Sequence, residues 1–279
     1  MMQTLVSTEW LAEQLGAPDL MVLDASWHMP ATNRSARQEF EARHIPGARF
    51  FDIEAISDHD AGFPHMLPSA ELFGAAMTDL GVSNGDRIVV YDDSALRTSA
   101  RAWFMLRHFG ASQVAILDGG LGKWVVEGRP VEAGTPGYRD ARFDAVAQPA
   151  QVIHKDELLR GSGVQVVDAR GAKRFSGEEN DPRPGIAPGH MPGARNLPYS
   201  AMYRDDGTFR SPDELRAAFA HAKVDPTRPF VASCGSGLTA NTLIVAAHLL
   251  GNDETRLYDG SWSEWGSDPA TPKVTGPAD

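Results

Sequence analysis

Residues 231–240 read VASCGSGLTA, and Cys234 at their centre is the only cysteine in the chain. Its neighbours Gly235, Ser236 and Gly237 cannot build a core. A thiol in such company suits nucleophilic or sulfur-carrying chemistry, because the thiolate is the reactive form and a thiol at a helix N-terminus ionises more readily than a free one. A buried, inert cysteine is the plain alternative. What favours chemistry is position: PFVAS (229–233) reads as a strand and TANTLIVAAHLL (239–250) as a helix, so CGSG is a strand-to-helix turn. Small residues let successive backbone N–H groups face inward there, forming an anion-holding nest. A cysteine phosphatase would close that loop with an arginine. Ala240 stands at the position concerned, and neither lysine nor arginine occurs from 235 to 255. A doubly charged inorganic anion is therefore poorly matched, and a mostly neutral substrate end beside the sulfur fits better.

The elements that must position this turn occur twice. The first half contains MVLDA (21–25), RHIPGARF (43–50), RIVVYDD (87–93) and LDGGLGKW (117–124). The second half repeats the order with QVVDA (165–169), GHMPGARN (189–196), PFVASC (229–234) and LYDGSWSEW (257–265). The matched pairs Asp24 and Asp168, His44 and His190, and Asp118 and Asp259 recur at a nearly constant separation, which implies two homologous domains. The split is expected in the Gly/Pro-bearing stretch 126–151, giving domains over 1–140 and 151–279. Short β-branched runs such as RIVVYD, VAILD, VQVVDA and TRLYD alternate with helical patterns over 7–16, 69–81, 98–110, 211–222 and 239–251. That alternation predicts an α/β fold, each domain a mostly parallel sheet flanked by helices. Ligands of such sheets bind beyond the carboxyl ends of the strands, where Cys234 lies.

Composition sets the outer limits. With 279 residues, 42% hydrophobic and 23% charged, the chain has the make-up of a soluble globular protein, and no run approaches the length of a membrane span. A net charge of −11 argues against general affinity for nucleic acid or anionic membrane. The N-terminus has no basic start followed by a long apolar stretch, and a lone cysteine suits a reducing compartment, so a cytoplasmic location is expected. No CxxC or HExxH occurs, so neither metal nor cofactor is expected. Asn33-Arg34-Ser35 matches a glycosylation sequon and is given no weight without a secretion signal.

The doubled D-A and H-I/M-P-G-A patterns, the second D-A extended to D-A-R and followed by CGSGLTA, resemble the rhodanese superfamily and most closely its tandem-domain 3-mercaptopyruvate sulfurtransferases. The resemblance runs from about residue 5 to 268, with Leu238 standing where the family loop carries valine. It implies two rhodanese-like domains, the first non-catalytic with Asp92 at the position of the cysteine. It also implies that Cys234 takes sulfur from 3-mercaptopyruvate as a persulfide, releases pyruvate, and passes the sulfur to a thiol acceptor such as thioredoxin, or to cyanide. Arg174 and Arg183 match the substrate arginines of the family, whose planar forks suit a carboxylate. The loop residues Gly235, Gly237, Leu238 and Thr239 would complete the substrate site. A Ser–His–acid triad proposed for the family maps onto Ser236, His65 and Glu54, with Glu54 replacing the usual aspartate. His44 and His190 are expected to stabilise equivalent turns, and Trp262 and Trp265 to pack in a loop. Thiosulfate:cyanide sulfur transfer and a non-catalytic persulfide carrier remain as alternative readings.

Overall fold

A computed structural model describes residues 2–161 and 163–278; Met1, Ser162 and Asp279, all within the expected domains, lie outside the described residues. The chain divides into two compact units. The first comprises 1–58, 67–148 and 204–209; the second comprises 59–66, 149–203 and 210–279. The short segments 59–66 and 204–209 thus belong to the unit opposite to their sequence neighbours.

The first unit is built on strands β1 (Leu5–Val6), β2 (Leu20–Asp24), β3 (Arg49–Phe50), β4 (Arg87–Tyr91) and β5 (Val114–Leu117), in the order β1-β5-β4-β2-β3. Its helices are α1 (Thr8–Gln14), α2 (Ala36–Ala42), α3 (Ile53–Ile56), α4 (Ala70–Asp79), α5 (Ser99–His108) and α6 (Gly120–Val126). The second unit repeats the plan with β6 (Val152–Ile153), β7 (Gln165–Asp168), β8 (Arg195–Asn196), β9 (Phe230–Ser233) and β10 (Arg256–Tyr258), ordered β6-β10-β9-β7-β8. Its helices are α7 (Lys155–Leu159), α8 (Ala172–Ser176), α9 (Pro212–His221), α10 (Ala240–Leu249) and α11 (Ser261–Ser267). Every pairing between these strands is parallel. Parallel neighbours need crossover connections, which the helices supply while covering the sheet faces.

Local chemistry accounts for where the elements start. Ser7, Ser35, Asp52, Ser69 and Ser211 each accept a backbone N–H of the helix that follows, and Ser211 with Glu214 forms a reciprocal capping box. β4 and β9 occupy the middle of their sheets; Val89, Val90, Val231 and Ala232 are fully buried there. The conserved plan extends to single bonds. Ala25 N–H donates to the Tyr91 carbonyl and Ala169 N–H to that of Ser233, both at 2.8 Å. His44 and His190 stack on Phe40 and Phe175 and bond the same carbonyls, so both serve the turn.

Two features differ from the sequence reading. GSWSEWG is not a loop: Ser261–Ser267 forms α11, with Trp262 and Trp265 buried on it. The stretch 129–148 lacks helices and extended strands yet is packed on the first unit. Glu132 bridges to His44, the Arg139 guanidinium binds Asp86, and Phe143 meets Phe73 edge-on. Its irregular sequence conceals a strap held by side chains.

Candidate active site

Cys234 follows the last residue of β9 and lies at the carboxyl edge of the sheet, 1% exposed. Three neighbouring connections converge there: the loop after β9, the turn after β10, and the segment after β7, whose Asp168 is in register with Ser233. The turn is held from one side by α11. Ser261 Oγ accepts the Cys234 N–H at 3.0 Å, Trp262 N–H donates to the Cys234 carbonyl at 3.0 Å, and Ser263 N–H to that of Gly235 at 2.8 Å. Ser261 itself adopts a left-handed backbone, φ 49°, which lets its hydroxyl turn back beneath the cysteine and donate to the Tyr258 carbonyl. From the other side Asn241 Nδ2 donates to the carbonyls of Gly237 and Leu238. With these carbonyls bonded to α10 and α11, the loop is fixed rather than mobile.

Each loop position has a physical reason. Gly237 has φ 75°, and a Cβ on it would stand 2.6 Å from the Asp259 carbonyl oxygen, so no larger residue fits. At Gly235 a Cβ would press on the arginine pair, meeting Arg183 Nη2 at 3.3 Å and Arg174 Nη2 at 3.5 Å. Leu238 and Thr239 are buried, as is Cys234 itself, so both anchor the loop in the packed interior. Gly235 and Ser236 are the half-buried part of the turn.

Above Gly235 stand two arginines pinned by one carboxylate. Arg174 Nη2 donates to Asp181 at 2.5 Å, and Arg183 Nε and Nη2 donate to it at 2.7 and 2.8 Å. The Asp181 carboxylate is 1% exposed, the two guanidiniums 23% and 28%. Burial alone would raise the Asp181 carboxyl, but the hydrogen bonds of Arg183 and the charges of both arginines hold it down to about 2. One negative charge thus orders two positive ones and leaves a surplus cation facing the loop. Arg183 Nη1 also donates to the Gly235 carbonyl at 3.0 Å and to Ser263. Arg174 is less committed, for its Nε is buried without a hydrogen-bond partner among the described residues. Asp181 escaped the sequence reading. In the stretch Glu178-Glu179-Asn180-Asp181 it resembles part of a solvated acidic run, and its spacing from Arg174 and Arg183 was the only available sign.

His65 belongs to the second unit through the segment 59–66, and its Nδ1 lies 2.9 Å from Ser236 Oγ. It is buried, with a backbone φ of 62° that a bulky residue adopts only when its surroundings impose it. Which of the two atoms donates depends on the imidazole tautomer. Glu54 lies on α3 in the first unit, where its carboxylate accepts the Trp27 indole N–H at 3.2 Å. In the first unit, Asp92 occupies the position of Cys234. Its two carboxylate oxygens accept the N–H groups of Ser94 and Ser99, both at 2.8 Å, so the loop donors already enclose a built-in anion. Among the described residues no three His, Cys, Asp or Glu side chains converge as a metal site would require, and no helix is long and apolar enough to cross a membrane.

Comparison with known proteins follows the same division. The rhodanese-like domain pattern matches twice, over residues 7–127 and 154–268. The mouse 3-mercaptopyruvate sulfurtransferase is 44% identical over 94% of this chain and 92% of its own length. A chicken thiosulfate sulfurtransferase is 42% identical with 94% and 93% coverage, so overall identity does not discriminate between sulfur donors. The crystal structure of the Escherichia coli 3-mercaptopyruvate sulfotransferase SseA superposes with a TM-score of 0.85 at 39% identity, covering 93% of this chain and 99% of that one.

Proposed function

The chain belongs to the rhodanese-like family in its two-domain form, and from that premise we propose that it transfers the sulfur of 3-mercaptopyruvate through a persulfide on Cys234. The observation that carries this reading is the pair of guanidiniums beside Gly235, one residue from the sulfur. Their planar forks suit the α-keto carboxylate of a mercapto acid, while the loop itself contributes only neutral donors. The Cys234 thiolate attacks the substrate thiol sulfur and the sulfur–C3 bond breaks, its electron pair passing to C3 as the pyruvate enolate. C3 gains a proton, and the substrate thiol loses one, so that pyruvate leaves and Cys234 carries an anionic outer sulfur. The Ser236–His65 pair delivers that proton, and the backbone N–H groups of the turn hold the persulfide charge. An acceptor thiolate such as that of thioredoxin, or cyanide, then attacks the outer sulfur. The sulfur–sulfur bond breaks, and its electron pair returns to Cys234. The first unit takes no sulfur, since the Asp92 carboxylate offers no thiol. A lone cysteine that must stay reduced suits a reducing compartment such as the cytoplasm.

The test is the ratio of kcat/KM for 3-mercaptopyruvate and for thiosulfate, with cyanide as common acceptor and Cys234→Ser as the blank. A large preference for mercaptopyruvate, abolished in the variant, is expected. Preference for thiosulfate would retain the nucleophile and overturn the donor; turnover of neither would favour a persulfide carrier loaded by another protein.

A further inference from the structure

The two units share their plan closely, and two differences between them fall beside a cavity. In the second unit, Arg170 follows Asp168 by two residues and is almost wholly buried, 4% exposed. Its guanidinium binds both Asp168 oxygens at 2.7–3.1 Å, donates to the Gly189 carbonyl at 2.8 Å, and lies 4.5 Å over the Trp262 ring. In the first unit the aspartate is retained as Asp24, with the same turn: Ser26 N–H bonds Asp24 Oδ1 and Arg170 N–H bonds Asp168 Oδ1, both at 2.9 Å. Position 26, however, is serine where the second unit has Arg170. Leu121 stands where the second unit has Trp262; the N–H of each donates to the carbonyl of the matched residue, Asp92 or Cys234. Two large side chains have become two small ones.

Beside Ser26 and Leu121 lies a cavity of about 450 Å³ lined by Asp24, Ser26, Arg34, Glu39, Phe40 and Leu121 among others. Asp24 is 2% exposed and its donors are neutral: the Ser26 hydroxyl and backbone N–H and the Tyr91 hydroxyl. A buried carboxylate without a cation is costly, and Asp24 forms no ion pair among the described residues. Burial pushes its carboxyl up to about 6. Around the cavity three carboxylates, Asp24, Glu39 and Asp93, face two arginines, Arg34 and Arg43. Arg34 is already taken by Glu39 at 2.7 and 2.8 Å and by Asp93 at 2.9 Å, so the lining favours a further positive charge.

We propose that this cavity binds a small monoalkyl guanidinium, its planar cation against Asp24 in the position that the Arg170 guanidinium holds against Asp168. Phe40 and Leu121 form its apolar walls, and the alkyl tail points past Arg34 and Glu39. The inference does not depend on the sulfur-transfer reading, because Cys234 takes no part in it.

Calorimetric titration of the full-length protein with agmatine tests it, with 1,4-diaminobutane as a dication of equal charge that has an ammonium in place of the planar guanidinium, and the tripeptide Gly-Arg-Gly as a peptide-borne guanidinium. Saturable one-to-one binding of agmatine is expected, tighter than that of either comparator and unchanged in Cys234→Ala. The double variant Ser26→Arg/Leu121→Trp, which rebuilds the second unit's arrangement, should weaken binding by about tenfold or more, as should Asp24→Asn. Absence of saturable heat, or binding equally tight in the refilled double variant, would overturn the site. Tighter binding of the tripeptide than of agmatine would overturn its assignment to a free small molecule.

Discussion

Replacing Asp181 with asparagine sets two effects of opposite sign against each other. The carboxylate receives one side-chain hydrogen bond from Arg174 and two from Arg183, at 2.5–2.8 Å, besides one from the Arg183 backbone N–H at 3.1 Å. Each charge-assisted bond contributes about 1.5–3 kcal/mol, and asparagine keeps one acceptor oxygen, so roughly 2–4 kcal/mol of order in the arginine pair is lost. Against this, removing a negative charge relieves its repulsion of the substrate carboxylate. With both guanidiniums interposed and about a quarter exposed, that relief is of order 1 kcal/mol. Loss of order wins by about 1–3 kcal/mol, and KM for 3-mercaptopyruvate should rise about 5- to 150-fold. Turnover at saturation should change little, because Cys234, Ser236 and His65 are untouched. Steady-state kinetics with cyanide read both parameters; an unchanged or lower KM would show that Asp181 only taxes the site electrostatically and that the pinning argument is wrong. A second readout is acid stability. The folded carboxyl at about 2 lies below its unfolded value near 3.9, so its contribution is present above about pH 4 and lost as pH falls towards about 2. That contribution is about 2–3 kcal/mol and should be missing from the asparagine variant in acid titrations.

Three further predictions concern the cysteine loop. Ser236→Ala removes the hydroxyl 2.9 Å from His65 and should lower mercaptopyruvate turnover about 10²-fold while sparing thiosulfate turnover, whose leaving sulfite needs no proton at carbon; equal losses with both donors would exclude a proton-delivery role. Gly237→Ala drives a methyl to 2.6 Å of the Asp259 carbonyl at a φ of 75°, and should cost about 2 kcal/mol or more in thermal melts with loss of activity. Gly235→Ala meets only side-chain nitrogens at 3.3–3.5 Å, so it should leave the melting temperature nearly unchanged while raising KM by about tenfold through displacement of the arginine pair.

What the sequence disclosed and what it withheld divide along the range of the interactions involved. Repeated β-branched runs and turn residues specified two sheets, and the helical patterns over 69–81, 98–110, 211–222 and 239–251 correspond to α4, α5, α9 and α10, because burial and capping act within a few residues. The cysteine turn was legible for the same reason. Contacts that close through space were not. Asp181 acquires its role only when Arg174 and Arg183 converge on it, and Ser261 and Ser263 look like loop residues until α11 sets their hydroxyls against the Cys234 and Gly235 backbone. The strap 129–148 has no periodicity to read, since its place is set by single side chains such as Arg139 and Phe143. The difference between Ser26 and Arg170 was visible letter by letter, yet its consequence, a cavity beside a buried carboxylate, needed the packed structure.

The account turns on sulfur being carried by Cys234. Incubating the protein with 3-mercaptopyruvate in the absence of acceptor, then weighing the peptide that contains Cys234 and assaying released pyruvate, tests this most directly. The account predicts a mass increase of one sulfur atom on that peptide, pyruvate released in equal amount, and removal of the added sulfur by cyanide as thiocyanate. Pyruvate released without the added sulfur, or added sulfur that persists in Cys234→Ser, would contradict it.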